Sequence, residues 1–323
     1  MSNGSAPGHN GQTPRVSVVI PAYRVTDFIV DTLESVFNQT YTDYEVIVVN
    51  DGSPDTARLE QTLAPYRDRI RYIVQQNGGP ASARNTAIRA ARGSLVAQLD
   101  GDDQWFPTFL ESQVRFLDEH PDVDLVFSNA VIFGGPNDGR VFFTVNHTEG
   151  PVSLASLLSQ RVVLLASSMT GRRAVLQRVG LYDEALRGAE DYDLWLRLAA
   201  AGVRMDYQRD ILVRYRRGHH SVSADEHSMI RYGLMVLEKV ARTFQLTPED
   251  RASVEEGRIR MQSTLSYRNG VTALRRGDAA VARREFAEVK RSTAPVRLWV
   301  LRTALRMAPR LTTGAYRRIK GAT

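Results

Sequence analysis

The chain has 323 residues, 43% of them hydrophobic and 24% charged, a balance that suits a soluble globular protein of one large or two smaller domains. It has no cysteine, which excludes disulfides and thiolate metal sites, and no apolar run approaches the roughly 18 residues needed to span a bilayer. The net charge of +6 conceals an asymmetry, because residues 1–250 hold 25 Lys/Arg against 31 Asp/Glu while residues 251–323 hold 17 against 5. An acidic body with a basic tail implies two parts with different surroundings.

Residues 1–13 are polar, rich in Gly, Ser and Asn, and lack an apolar segment, so they predict a disordered leader and not a signal peptide. Val16–Ile20 is a β-branched run stopped by Pro21 and reads as a buried strand. Thr26 is placed to cap the helix that follows, where Ile29, Leu33, Val36 and Phe37 share a face. Glu45–Val49, Ile70–Val74, Ser94–Leu99 and Asp124–Phe127 predict four more strands. Pro80 suits the start of an intervening helix and Gly93 its end. Strands alternating with helices imply an α/β fold, a mostly parallel sheet flanked by helices. Residues 131–175 carry a weaker pattern, with glycine turns at Gly134 and Gly135, before a helix over Glu190–Ala201 closed by Gly202. Beyond about residue 225 the periodicity is helical throughout, giving a C-terminal all-α region over 226–323.

In a parallel sheet, ligands bind beyond the carboxyl ends of the strands. Three polar clusters fall there: Pro21-Ala22-Tyr23, Asp51-Gly52-Ser53 and Asp100-Gly101-Asp102, the last followed by Asp103. Adjacent carboxylates after a buried strand repel one another and need neutralising, and hard oxygen ligands suit Mg²⁺ or Mn²⁺ shared with a substrate's phosphates. Gly101 would let the backbone turn and approach a ligand. A solvated turn with capping Asp residues is the plainer account of the same three letters. Neither a G-x-G-x-x-G after the first strand nor a G-x-x-x-x-G-K-[ST] occurs, which removes a classical dinucleotide site and a P-loop.

The stretches VSVVIPAYR, VIVVNDGSPD, NGGPASARNTAIRAARG and VAQLDGDD resemble the nucleotide-binding half of family 2 glycosyltransferases, and RGAEDYDLWLRLAAAG resembles their acceptor-side motif. The likeness covers residues 14–225, with 14–130 as the donor half and 131–225 as the acceptor half. It implies a GT-A fold and inverting, metal-dependent transfer from a nucleotide-diphosphate sugar. By the same likeness Pro21, Ala22 and Tyr23 line the nucleobase pocket, Asp51 bonds the base and Asp100 the ribose. Arg84 positions the donor, Asp102 ligates Mg²⁺ or Mn²⁺, and Asp191 is the general base. The acceptor it implies is a glycan or lipid-linked saccharide, as in surface polysaccharide or glycolipid synthesis.

The residues read by themselves agree in kind. A metal-bound diphosphate is a good leaving group, so transfer needs one base and no strong general acid, whereas a glycosidase wants two matched carboxyls. Glu190 and Asp191 are equally well placed as ordinary helix N-terminal charges. Asp193 and Trp195 read as structural, Trp105 as either a rim or an edge cover, and Arg84 as a simple neutraliser of Asp100 or Asp102. Tyr215-Arg216-Arg217-Gly218-His219-His220 departs from the family's Y-R-x-H-like run. Gly218 stands where a histidine is expected, leaving His219 or His220 as the candidate for the metal or diphosphate, or Arg217 as an offsetting charge.

In the basic region, Ala273–Phe286 resembles one turn of a helical repeat, and Val296–Met307 is amphipathic. The wheel groups Arg302, Arg306 and Arg310 opposite Leu298, Val300, Leu301, Leu305 and Met307. Two readings stand: a packed helical appendage, or an interfacial helix on anionic lipid. Nucleic acid is not an expected partner, because aromatics do not interleave with the arginines. The expected location is cytoplasmic, free or peripheral on the inner membrane face. Two other classes fit parts of the pattern: a catalytically silent nucleotide-sugar-binding scaffold, and a nucleotidyltransferase, which would want a phosphate-gripping loop after the first strand.

Overall fold

The computed structural model describes residues 13–135, 137–218, 226–290 and 296–320, so residues 1–12 of the expected leader, His219 and His220 lie outside the described residues. The sheet begins with β1 (Val16–Ala22), β2 (Tyr44–Asp51), β3 (Arg71–Gln75) and β4 (Leu95–Gln98). All eight residues of β2 and all four of β4 are buried, which is why they read as continuous apolar runs without alternation. β5 (Gln104–Trp105), β6 (Leu125–Phe133), β7 (Thr170–Arg172) and β8 (Met205–Arg216) complete one eight-stranded sheet in the order β3-β2-β1-β4-β7-β6-β8-β5.

The first four strands are parallel as expected: β1 pairs with β2 and β4, and β2 with β3. Beyond β4 the sheet is mixed, with β7 antiparallel to β4 and β6, β5 antiparallel to β8, and β6 parallel to β8. The strand expected at Asp124–Phe127 continues to Phe133. Helices α1 (Ile29–Phe37), α2 (Thr56–Leu63), α3 (Pro80–Ala90) and α4 (Phe109–Glu119) flank the sheet, followed by α5 (Phe142–Asn146), α6 (Leu154–Leu158), α7 (Arg173–Arg178) and α8 (Glu190–Ala200). Val18, Ile20, Val46 and Val48 join Ile29, Leu33 and Leu59 in a single core.

Three local expectations are corrected. Thr26 does not cap α1, which begins without a side-chain cap; its hydroxyl donates to Asp55 Oδ2 at 2.6 Å. Gly93 does not close α3 either, since the helix ends at Ala90. Gly93 instead lies against β1, where a Cβ would come within 2.7 Å of the Ser17 nitrogen and where its N–H reaches Ser17 Oγ at 2.9 Å. Gly101 makes its close approach to the protein itself: a Cβ there would meet the Pro21 carbonyl at 2.9 Å.

The chain divides into two compact units, one of residues up to 224 except 158–160, the other of 158–160 with residues from 225 onward. The second is helical: α9 (Glu226–Thr243), α10 (Pro248–Arg276), α11 (Ala279–Glu288), α12 (Val296–Met307) and α13 (Pro309–Lys320). Thr247 and Asp250 form a capping box at the start of α10, and Gly277 ends it in the left-handed conformation. Asp278 then caps α11 through the Val281 N–H at 3.0 Å, the helix–turn–helix suggested by Ala273–Phe286. Leu274, Phe286, Leu298 and Leu305 form the core, with Leu301 packed on it. The α12 wheel needs correcting. Leu298 and Leu305 are buried while Val300 and Met307 are exposed, so the apolar residues do not share one arc. Arg302 turns inward to the carbonyls of Phe286 and Val289 at the end of α11. Among the described residues no helix is long and apolar enough to cross a membrane.

Candidate active site

The carboxyl ends of β1, β2 and β4 bring the three polar clusters to one edge, and a stapled network fixes their loops. Ser53 Oγ accepts the Arg24 N–H at 2.8 Å and donates to Asp55, which also holds Thr26. Gly52 adopts φ +62°, and a Cβ there would lie 2.8 Å from the Asn77 nitrogen, so only glycine fits this turn. Asp51 is buried and accepts three bonds: Gln75 Nε2 at 2.8 Å, Gly78 N–H at 2.9 Å and Gly79 N–H at 2.8 Å. It therefore organises the loop that opens α3. Of the pocket residues expected from sequence, Ala22 is buried, Pro21 is half-buried and Tyr23 is 42% exposed.

The acidic triplet separates into three environments. Asp100 accepts Arg84 Nη2 at 2.8 Å, and its N–H donates to Ser167 Oγ at 3.2 Å. Asp103 is buried, receiving Ser167 Oγ at 2.5 Å and the Arg216 N–H at 2.8 Å. Burial, with Asp102 and Asp100 nearby, pushes its carboxyl well above the usual carboxylate range. Asp102 is half-buried, and its carbonyl accepts Arg216 Nε at 2.8 Å. Among the described residues no three His, Cys, Asp or Glu side chains gather to form a complete cation site. A half-buried carboxylate such as that of Asp102 suits Mg²⁺ or Mn²⁺ all the same, since these ions keep waters and take ligands from a substrate's phosphates.

Arg84 is the centre of the arrangement. The residue is 5% exposed, and its guanidinium is clasped between Asp100, just beyond β4, and Glu190, the first residue of α8. Burial works against its charge, yet Asp100 and Glu190 outweigh that and hold its pKa above the ordinary value. Tyr182 lies under it, ring centroid 5.5 Å from the guanidinium carbon, and gives its hydroxyl to Gln98. Asn85 exchanges amide bonds with the Tyr182 backbone at 2.9 Å each way and reaches Glu184 at 2.8 Å. Thus the tail of the NGGPASARN stretch ties α3 to the segment that leads into α8.

Asp191 follows Glu190 in the first turn of α8 and is partly buried. Burial, then the neighbouring Glu190, raises its pKa from 3.8 to about 6, with Arg84 pulling the other way. Ala189, just before, holds a left-handed conformation at φ +55°, a strained backbone at the helix start. Asp193 is buried and bonds Arg197 at 2.8 Å, and Trp195 packs edge-on against Phe127. Trp105 is interior, stacked on Phe109 with its indole N–H on the Ser167 carbonyl at 2.8 Å, so it covers the sheet edge and forms no rim.

Gly218 has a steric reason. It adopts φ +92°, and a Cβ would come 2.0 Å from the Gly134 carbonyl oxygen. A histidine does not fit there. Arg217 donates its N–H to Phe133 at 2.8 Å and its guanidinium to Tyr215 Oη at 3.2 Å. Sequence reasoning missed four contributors: Glu190 as the partner of Arg84, Ser167 as the link between Asp100 and Asp103, Arg216 as the clamp on the acidic loop, and Arg187. The last donates to the Gly78 carbonyl at 2.9 Å. Ser167 and Arg216 lie 60 or more residues from the carboxylates they hold, and no local pattern marks them.

The chain has relatives among known proteins. The model of "Glycosyl transferase family 2" matches residues 17–180. The chain is 35% identical over 193 residues to the chondroitin synthase of Escherichia coli, a match covering 59% of this chain and 27% of that protein. It spans less than two thirds of the length of the Rickettsia glycosyltransferases it also resembles. Among solved structures, Staphylococcus aureus TarS 1-349 in complex with UDP-GlcNAc superposes with a TM-score of 0.62 at 19% identity, covering 94% of this chain and 90% of that one. The mannosyltransferase PcManGT of Pyrobaculum calidifontis, in complex with GDP-Man and Mn²⁺, gives 0.61 at 20% identity, covering 97% and 87%. The fold is therefore GT-A-like, and the chain belongs to glycosyl transferase family 2.

Proposed function

We propose that the chain transfers a sugar, with inversion, from a nucleotide-diphosphate sugar to a hydroxyl of a glycan or lipid-linked saccharide. The observation that carries this reading is the Arg84 clasp, which joins the donor-side Asp100 to the helix start bearing Asp191. Pro21, Ala22 and Tyr23 would border the base, Asp51 would hold it through its organised loop, and Asp100 would meet the ribose. Asp102 would hold the Mg²⁺ or Mn²⁺, which when bound offsets the charge on the departing diphosphate.

Asp191 would take the proton from the acceptor hydroxyl. The acceptor oxygen would then bond to the anomeric carbon as that carbon's bond to the phosphate oxygen breaks, with the electron pair leaving on the nucleoside diphosphate. A carboxylate with a pKa near 6 suits this step better than an ordinary one, since a stronger base is still ionised at neutral pH. Arg84 would keep Glu190 in place beside it. The bound donors in the TarS and PcManGT structures support the donor class.

Incubation with a panel of nucleotide sugars and Mn²⁺ or Mg²⁺ tests the proposal by release of nucleoside diphosphate. Wild-type protein should hydrolyse its own donor slowly, Asp102→Ala should lose metal-dependent donor binding, and Asp191→Asn should keep binding but lose transfer. Absence of release from every donor, or full activity in Asp191→Asn, would overturn it.

A further inference from the structure

Helix α12 is apolar on two opposite sides. Leu298, Leu301 and Leu305 recur at helical spacing and pack into the helical core, with Arg302 beside them on the end of α11. On the far side Trp299 is 73% exposed, Val300 58% and Met307 81%, and Leu311 in the first turn of α13 is 77% exposed. At 100° per residue, Trp299, Thr303, Met307 and Val300 fall within one arc of about 100°. Such residues are seldom left in water together, and a contiguous exposed apolar face marks an interaction surface.

Charge says what the surface meets. Residues 296–320 contain seven basic residues (Arg297, Arg302, Arg306, Arg310, Arg317, Arg318 and Lys320) and no acidic one. Of these, Arg302 is spent on the α11 carbonyls, while Arg306 is exposed on α12 itself. A protein partner would have to supply a matching acidic groove. An anionic bilayer supplies both requirements at once: acyl chains for Trp299, Val300, Met307 and Leu311, and negative headgroups for the arginines. Tryptophan in particular settles at the boundary between headgroups and chains.

We propose that the outward face of α12 and the start of α13 form a docking surface for anionic lipid, with Trp299 as its anchor. This surface is independent of the transferase reading and stands or falls separately from it.

Trp105 and Trp195 are 3% and 2% exposed, so Trp299 dominates any change in accessible tryptophan signal. The full chain is mixed with vesicles of phosphatidylglycerol and phosphatidylcholine, or of phosphatidylcholine alone, and followed by co-sedimentation and fluorescence. The expected result is binding to the anionic vesicles, a blue shift, and quenching by lipids brominated near the headgroup. Replacing Trp299, Met307 and Leu311 together by Ser should weaken partition by at least about tenfold, with the far-ultraviolet circular dichroism unchanged. Arg306→Gln, which removes one positive charge worth about 1 kcal/mol at an anionic surface, should weaken it less, by about fivefold. The proposal is overturned if anionic vesicles are not bound at low salt, or if the triple variant binds as well as wild type. It is equally overturned if Trp299 shifts with protein concentration in the absence of lipid, which would make the face a contact between copies of the chain.

Discussion

Asp191 carries the sharpest consequences at the scale of one side chain. Its carboxyl is raised to about 6 by burial and by Glu190, so the proposed base is protonated below that pH. The transfer rate, measured as kcat/KM, should rise with pH along a limb centred near 6 and level off above it. The same shift bears on stability. The folded pKa lies above the ordinary value of 3.8, so the ionised form destabilises the fold fully above pH 6. That penalty fades as pH falls from about 6 to about 4, where both states are protonated. Asp191→Asn should therefore lower transfer by about 10²-fold or more while raising stability at pH 7 by roughly 1–3 kcal/mol. Thermal melts at pH 7 and pH 4 check the sign, since the gain must shrink at the lower pH. A variant less stable at pH 7 would show that the carboxylate is held favourably, against the burial argument.

Elements meet through Arg84 and Gly218, and both make predictions about loops and helix ends. Arg84→Ala leaves Asp100 and Glu190 facing one another without a cation, which should cost about 3–5 kcal/mol in urea unfolding with little change in slope. Arg84→Lys retains the charge but has no fork to span two carboxylates, so it should recover only part of that loss. Gly218→His is the instructive substitution, because it restores the residue expected in the family's run. The positive φ and the 2.0 Å approach to Gly134 predict a loss of about 2 kcal/mol or more, with no gain in metal affinity measured by titration. How legible the elements were follows the same division between near and far. The parallel strands β1, β2 and β4 announced themselves because burial on both faces makes them continuous apolar runs. Gly93 and Thr26 did not, because a capping residue and a glycine packed on a strand look alike until the long-range partner is known. The acidic triplet was visible, but its division into an Asp100 paired with Arg84, a half-buried Asp102 and a buried Asp103 depends on Arg84 in another helix and on Ser167 and Arg216, both distant in sequence.

For the whole molecule, the charge asymmetry now maps onto the two compact units, an acidic sheet-bearing one and a basic helical one. A ligand that binds only the folded first unit should stabilise that unit by mass action. At a donor concentration about 100 times Kd the gain is about 2.7 kcal/mol, and for a unit of this size that moves the midpoint by roughly 5–11 °C. Calorimetry with a panel of uridine and guanosine diphosphate sugars should thus raise the transition of the first unit, with the responsive nucleotide naming the base. Asp102 is half-buried, whereas Asp103 is buried and Asp100 pairs with Arg84, so an ion held by Asp102, as proposed, would lean on the donor's phosphates. The stabilisation should then require donor and Mn²⁺ or Mg²⁺ together, with either alone giving a small part of it, and chelation or Asp102→Ala should remove the excess. Equal stabilisation by the nucleotide sugar with and without metal would mean that the loop after β4 binds no ion, and that Arg84 or Arg217 carries the diphosphate's charge instead.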